Sequence, residues 1–239
     1  MNVKIIKCLT DNYSYLIIDK KNKLACVIDP SESNQIIDFL DKNKIDLKFI
    51  LNTHHHYDHV GGNEDLKKKY NAKIIGFEGD KNRIPGIDIC LKDKETWKYK
   101  NFELKVFHIP GHTSGHICFD FFNMKLLFTG DTLFSLGCGR IFEGSYEQMF
   151  DSLKLIKSFP LDTKIYCGHE YTLKNSNFCL AHDKNNIKLK KKISSIKEKI
   201  NKGLPTIPST LKEELETNIF LRCDTLEKFS KLRDLKDNY

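Results

Sequence analysis

Apolar positions along the chain show two textures. Up to about residue 170 they come as short runs between turns. Val3–Cys8, Tyr13–Asp19, Leu24–Asp29, Phe49–Asn52, Lys73–Gly76, Phe102–His108, Ile117–Phe122, Lys125–Thr129 and Lys164–Cys167 have strand length and composition. Helical spacing interrupts them at about Asn34–Lys42, Asn63–Tyr70 and Ser145–Ser158. Many strands with few helices predict an α/β fold of packed sheets covered by helices.

After about Tyr171 the strand-like runs stop. Ile187, Leu189, Ile193, Ile196 and Ile200 keep mostly helical spacing through the lysine-rich stretch 185–202, which Gly203-Leu204-Pro205 ends. Thr210-Leu211-Lys212-Glu213 has the form of a capping box opening a further helix, and a last helix is predicted from Thr225 towards Lys236. The reading is a domain over residues 1–170 followed by a small helical domain over 171–239.

Composition narrows the function classes. The balance of 40% hydrophobic and 30% charged residues is that of a folded globular chain. No apolar run reaches the roughly 18–20 residues needed to cross a bilayer, and no secretory signal is read at the N-terminus. A cytoplasmic, monomeric protein with no membrane partner is expected. The net charge of +7 raises the question of nucleic acid, but only Arg83, Arg140, Arg222 and Arg233 are arginines. Phosphate and base recognition leans on the bidentate fork that lysine lacks, so no nucleic-acid partner is expected. The lysine-rich segment reads as a solvated helix face. The eight cysteines form no CxxC pair and several lie in apolar runs. They are expected to be reduced and mostly buried.

The chemistry concentrates in Thr53-His54-His55-His56-Tyr57-Asp58-His59, between an apolar strand and Gly61-Gly62. In an extended loop, residues i and i+2 face the same way, so His54 and His56 can grip one ion while Asp58 and His59, past the bend, face another. Further donors follow later strands: His112 in PGHTSGH, Asp131 in TGDT and His169 in CGHE. Each follows a glycine, which permits a tight turn into a crowded site. The expected sets are His54, His56 and His112 for one metal and Asp58, His59 and His169 for the second, with Asp131 bridging. Imidazole and carboxylate ligands suit two divalent ions, Zn²⁺ first, with Fe or Mn also accommodated. His55 points away and is expected not to ligate. His116 is expected to support the site by a hydrogen bond, and His108 and His182 to be structural. Asp29 either orients a ligand histidine or caps a turn.

The HxHxDH, PGHTxGH, GDT and CGHE elements, in this order, resemble the metallo-β-lactamase superfamily over roughly residues 1–170. The resemblance implies an αββα sandwich with the metal site at one edge of the sheets. The segments Gly130–Gly144 and Tyr166–Thr172 resemble glyoxalase II, the hydroxyacylglutathione hydrolases, and the helical C-terminus fits that family. It implies cleavage of S-(2-hydroxyacyl)glutathione, such as S-lactoylglutathione, to a 2-hydroxy acid (lactate) and glutathione, the second step of methylglyoxal detoxification. A divalent ion lowers the pKa of its water from about 15.7 to about 7. A hydroxide shared by the two ions is therefore the expected nucleophile, with Asp58 handling a proton. The thiol leaving group, with a pKa of about 8.5, departs with little protonation. No GxSxG nucleophile elbow is present.

The same resemblance implies glutathione contacts from Arg140, Phe142 and Tyr171, and from Arg233 and Lys236, which share a helix face at i and i+3. Phe142 stands where many members carry Tyr, which removes one hydroxyl contact, and Ile219 replaces a common proline. Two superfamily alternatives are a mononuclear-iron glutathione persulfide dioxygenase and a metal-dependent nuclease. Ile141-Phe142-Glu143-Gly144 after Arg140 and the helical tail favour the hydrolase over the first; the absence of an inserted RNA-binding arm disfavours the second. A metal-storing module fits poorly, since structural zinc sites are closed.

Overall fold

Strand neighbours in the first half of the chain follow sequence order. The computed structural model describes residues 1–239. It places β1 (Asn2–Cys8), β2 (Asn12–Asp19), β3 (Leu24–Ile28), β4 (Asp46–Leu51), β5 (Lys73–Phe77) and β6 (Ile89–Leu91) in one sheet in that order. The first two pairings are antiparallel; β3/β4, β4/β5 and β5/β6 are parallel. Parallel neighbours need crossovers. For β3/β4 and β4/β5 these are α1 (Asn34–Asn43) and the pair α2 (Tyr57–Val60) and α3 (Asn63–Tyr70), while β5 reaches β6 through residues 78–88, which open with a 3-10 turn at Glu78–Asp80. Leu16 with Ile18, and Ala25 with Val27, are i, i+2 pairs and so share a face. They pack with Ile36 and Leu40 of α1 and Leu66 of α3 in one buried cluster. The hairpin β7 (Thr96–Tyr99) and β8 (Phe102–His108) follows, with Trp97 and Tyr99 packed edge-on against Phe49.

By internal contacts, Met1–His108 with Gly115–Phe119 form one compact unit, and Ile109–Ser114 with Asp120–Tyr239 a second; strand β9 (Ile117–Phe121) is divided between them. In the second unit β10 (Leu126–Gly130) pairs parallel with β13 (Lys164–Cys167), and β14 (Ser209–Thr210) pairs antiparallel with β13. β11 (Leu133–Phe134) and β12 (Gly137–Cys138) make a small hairpin. Helices α4 (Tyr146–Lys157), α5 (Thr172–His182), α6 (Ile187–Asn201), α7 (Leu211–Thr217) and α8 (Leu226–Asp237) complete the unit. Residues 120–170 group with the C-terminal helices because β14 extends the sheet at β13 and Phe229 of α8 packs on Phe150 of α4. The capping box at Thr210/Glu213 is formed, and Ser145/Gln148 makes a second one at the start of α4.

All eight cysteines are free, and six of them are buried. Burial pushes the Cys167 and Cys179 thiols each up to about 12. No helix is long and apolar enough to cross a membrane.

Candidate metal centre

Parallel strands end at the same edge of a sheet, and that places the donors of the first unit. β3 and β4 run side by side, and Asp29 N donates to Leu51 O at 2.9 Å, so Asp29 lies beside the start of the histidine segment. Asp29 is 2% exposed and accepts three hydrogen bonds: Thr53 N at 2.8 Å, Thr53 Oγ1 at 2.7 Å and His59 Nδ1 at 3.0 Å. Of the two readings of Asp29 left open by the sequence, the contacts support the one in which it orients a histidine, His59. A carboxylate only accepts, so His59 carries its proton on Nδ1. Thr53 gives its hydroxyl proton to Asp29, so the same oxygen accepts from His54 Nδ1, 3.0 Å away. One buried acid therefore fixes the tautomers of two histidines and leaves each Nε2 as the lone-pair nitrogen.

The rings converge as the i, i+2 argument requires. His54 and His56 centroids are 4.7 Å apart, and His54 and His59 4.2 Å. Asp58 is the second residue of the short helix α2, with Oδ2 3.6 Å from His59 Nε2. Asn12 Nδ2 holds Asp58, donating to its Oδ2 at 2.9 Å and to its carbonyl at 3.1 Å. Nothing in the sequence singles out Asn12, because it comes from β2, 46 residues upstream. The His116 ring stacks on that of His54, with centroids 4.6 Å apart and planes at 20°. His55 turns to Asp80, with Nδ1 3.3 Å from Oδ2, and His108 stacks on Phe77.

The second unit repeats the arrangement. β10 and β13 are parallel neighbours, and their ends deliver Asp131 and His169, with Gly168 N donating to Gly130 O at 2.9 Å. Asp131 Oδ2 lies 3.2 Å from His169 Nε2 and 3.6 Å from His112 Nε2. All three residues are buried. His112 Nδ1 lies 2.8 Å from Arg140 O. A carbonyl only accepts, so His112 also keeps Nε2 for a ligand bond. Gly111 has φ +146°, and a Cβ there would meet Met149 Cβ at 2.7 Å; a Cβ on Gly139 would lie 1.8 Å from Asp131 O. Of the three glycines expected to turn the chain, Gly111 and Gly130 have positive φ and Gly168 does not.

Neutral imidazole nitrogens and carboxylate oxygens, with Nδ1 protons held by acceptors behind them, are the donor chemistry that divalent transition metals take. Within the first unit, ligand atoms of Asp29, His54 and His59 lie within 4.8 Å of one another. The residues present fit such ions.

The expected substrate residues lie in the second unit. Phe142 is 61% exposed and meets His112 edge-on at 5.1 Å. Tyr171 stacks on His169 at 4.6 Å and 5°. The loop carrying Arg140 and Phe142 is clamped to the His112 turn: Phe142 N and Glu143 N donate to His112 O, and Ser114 N and Oγ donate to Glu143 Oε2. On α8, Arg233 is buried, its Nη1 donating to Cys138 O at 2.9 Å, with its guanidinium 5.3 Å over Phe220. Lys236 Nζ lies 4.8 Å over Phe178. Burial, then the charges of Arg233 and Lys174, push the Lys236 ammonium down to about 8.

Comparison with known proteins follows these lines. The family described as the metallo-beta-lactamase superfamily matches residues 10–89 and 100–169, and the family described as hydroxyacylglutathione hydrolase C-terminus matches residues 170–239. The hydroxyacylglutathione hydrolase of Pelagibacter ubique (strain HTCC1062) is 65% identical over 239 residues, spanning 100% of both chains. That of Methylococcus capsulatus (strain ATCC 33009 / NCIMB 11132 / Bath) is 43% identical over 222 residues, 93% of this chain and 87% of its own. The crystal structure of ETHE1 from Myxococcus xanthus shares the fold, with a TM-score of 0.74 at 22% identity, covering 98% of this chain and 90% of its own. With donors on consecutive parallel strand ends, a helical C-terminal part and full-length identity of this order, the chain belongs to the hydroxyacylglutathione hydrolase family of the metallo-β-lactamase superfamily.

Proposed function

We propose that this chain hydrolyses S-(2-hydroxyacyl)glutathione thioesters, such as S-lactoylglutathione, to a 2-hydroxy acid (lactate) and glutathione, the second step of methylglyoxal detoxification. The observation that carries the reading is the end-to-end 65% identity to a hydroxyacylglutathione hydrolase. The tautomer-fixed imidazoles support it, since a hydrolase without a serine nucleophile needs another way to activate water. In this reading His54, His56 and His112 hold one divalent ion, Asp58, His59 and His169 hold a second, and Asp131 serves both. The ions are zinc, with iron or manganese as substitutes.

Divalent ions bound by such ligands supply Lewis acidity and ionise water at neutral pH. The protein's own part is orientation and charge. Asp29 and Thr53 keep the proton of His54 and His59 on Nδ1. Asp58, steadied by Asn12, takes the proton of the attacking water. Arg140, Phe142 and Tyr171 position glutathione, and Arg233 and Lys236 draw its carboxylate. Residues 1–170 form the catalytic domain and 171–239 the helical substrate-binding domain of a cytoplasmic monomer. The test is thiol release from S-lactoylglutathione by the zinc-loaded protein. Stoichiometric glutathione supports the reading. No release, or oxygen uptake with glutathione persulfide, or RNA cleavage in its place, contradicts it.

A further inference from the structure

Arg140 and Arg233, two of the cations assigned above to the substrate, already share an acid. Asp237 Oδ1 accepts from Arg233 Nη2 at 2.8 Å and from Arg140 Nε at 3.2 Å. With Nη1 of Arg233 on Cys138 O and its Nε unpartnered but enclosed, a carboxylate that reaches this guanidinium from solvent shares or displaces Asp237. Asp237 is also poorly placed by its own helix. It is the last residue of α8, at the negative end of the helix dipole, where an acid is disfavoured. The arginines therefore hold it, and its side chain, 31% exposed, has solvent to move into.

We propose that Asp237 is an internal counter-anion: it occupies the carboxylate subsite of the free enzyme and sets the affinity for the glutathione moiety of substrate and product. The inference rests on the assignment of Arg140 to the glutathione moiety and of Arg233 to its carboxylate. Substrate binding then exchanges one carboxylate for another on the same donors, so the net gain is the difference between two similar contacts. Product release gains from the same exchange, because Asp237 recaptures the arginines as glutathione leaves. The loop stays in place meanwhile. Tyr146 Oη donates to Asp234 Oδ1, a second tie between the loop region and α8 that does not involve the arginines.

The test is Asp237→Asn in the full-length, metal-loaded protein. The amide keeps the shape and removes the charge. KM for S-lactoylglutathione and the calorimetric Kd for glutathione should fall together by about two- to tenfold, the range for two partly exposed ion contacts. A rise in both, or no change, overturns the proposal; a rise means that Asp237 only positions the arginines. Arg140→Ala separates the two levels. If it raises KM while Asp237→Asn also raises it, the carboxylate assignment stands and the counter-anion fails. If it leaves both KM and the glutathione Kd unchanged, the assignment itself fails, and the counter-anion with it. Asp237→Ser, checked by thermal melting, carries the same expectation should the Asn variant fold poorly.

Discussion

Exchanging Asp29 for Asn alters one atom and two hydrogens, yet it should disarm two proposed ligands 25 and 30 residues away. In the native protein Oδ1 accepts Thr53 N, and Oδ2 accepts both Thr53 Oγ1 and His59 Nδ1. If the Asn oxygen keeps Thr53 N, the amide nitrogen faces two donors. The clash is relieved only if Thr53 turns its hydroxyl proton to His54 Nδ1 and His59 moves its proton to Nε2. Both changes put a proton on Nε2, where a metal bond would form. The reverse amide orientation sets NH₂ against Thr53 N. Two charge-assisted hydrogen bonds at about 1.5–3 kcal/mol each come to about 3–6 kcal/mol, a large part of a domain stability of about 5–15 kcal/mol. Loss of an orienting partner behind a metal ligand costs about 10–100-fold in metal affinity, and here two ligands are affected. Urea unfolding of the chelator-treated protein measures the first effect, and zinc titration calorimetry the second. An Asp29→Asn protein that binds zinc within twofold of the parent and unfolds at the same urea concentration refutes this reasoning.

Other outcomes follow from the same packing. Lys236 has its ammonium pushed down to about 8 by burial and by Arg233, so the charge proposed to draw the substrate carboxylate is lost as pH rises through that value. kcat/KM should bend downward near pH 8 on the alkaline side, and Lys236→Arg should move the bend upward; an unmoved bend contradicts the assignment. Glu214 is fully buried, and burial is the largest single influence and raises its carboxyl; Lys192, Leu136 N and Ser209 together outweigh it, so the group titrates below its ordinary range. Its stabilisation is therefore present above about pH 4.3, the unfolded value, and is lost as pH falls through the lower folded value. Lys192→Met should cost about 3–5 kcal/mol at pH 7 by leaving the buried acid with no counter-charge, only the neutral donors Leu136 N, Ser135 Oγ and Asn218 Nδ2, and the variant should gain stability relative to the parent on acidification, as read by urea midpoints. Gly139→Ala forces a Cβ to within 1.8 Å of Asp131 O. Elemental analysis should find less bound metal, and turnover should collapse; wild-type metal content would contradict the packing.

Sequence periodicity located the strands with strong alternation or continuous apolar runs. β8 (Phe102–His108) and β13 (Lys164–Cys167) have the predicted bounds. β4 begins at Asp46 rather than Phe49, because its polar first turn of chain is recruited by pairing with Leu24 and Ala25, not by its own hydrophobicity. The short strands β6, β7, β11, β12 and β14 are built by tertiary pairing and gave no period to read. α5 was invisible for a different reason: its buried face is largely polar, with Thr172, Asn175 and Ser176 inside beside Phe178 and Cys179. In the site, spacing singles out the histidines and Asp131 because they follow strands at turn glycines or stand in one dense run. What spacing cannot carry is the supporting layer. Asp29 was ambiguous, Asn12 gave no signal, and the carbonyl of Arg140 that steers His112 has no side-chain identity at all. These roles depend on register between strands that are distant in sequence.

The central proposal is that seven side chains would hold two divalent ions, which supply the chemistry that ionises water. Anomalous diffraction from a crystal of the zinc-loaded protein tests it most directly. The account predicts two peaks about 3.5–4 Å apart, one against His54, His56 and His112, the other against Asp58, His59 and His169, with Asp131 touching both. A single peak, or peaks bound by other residues, would contradict it.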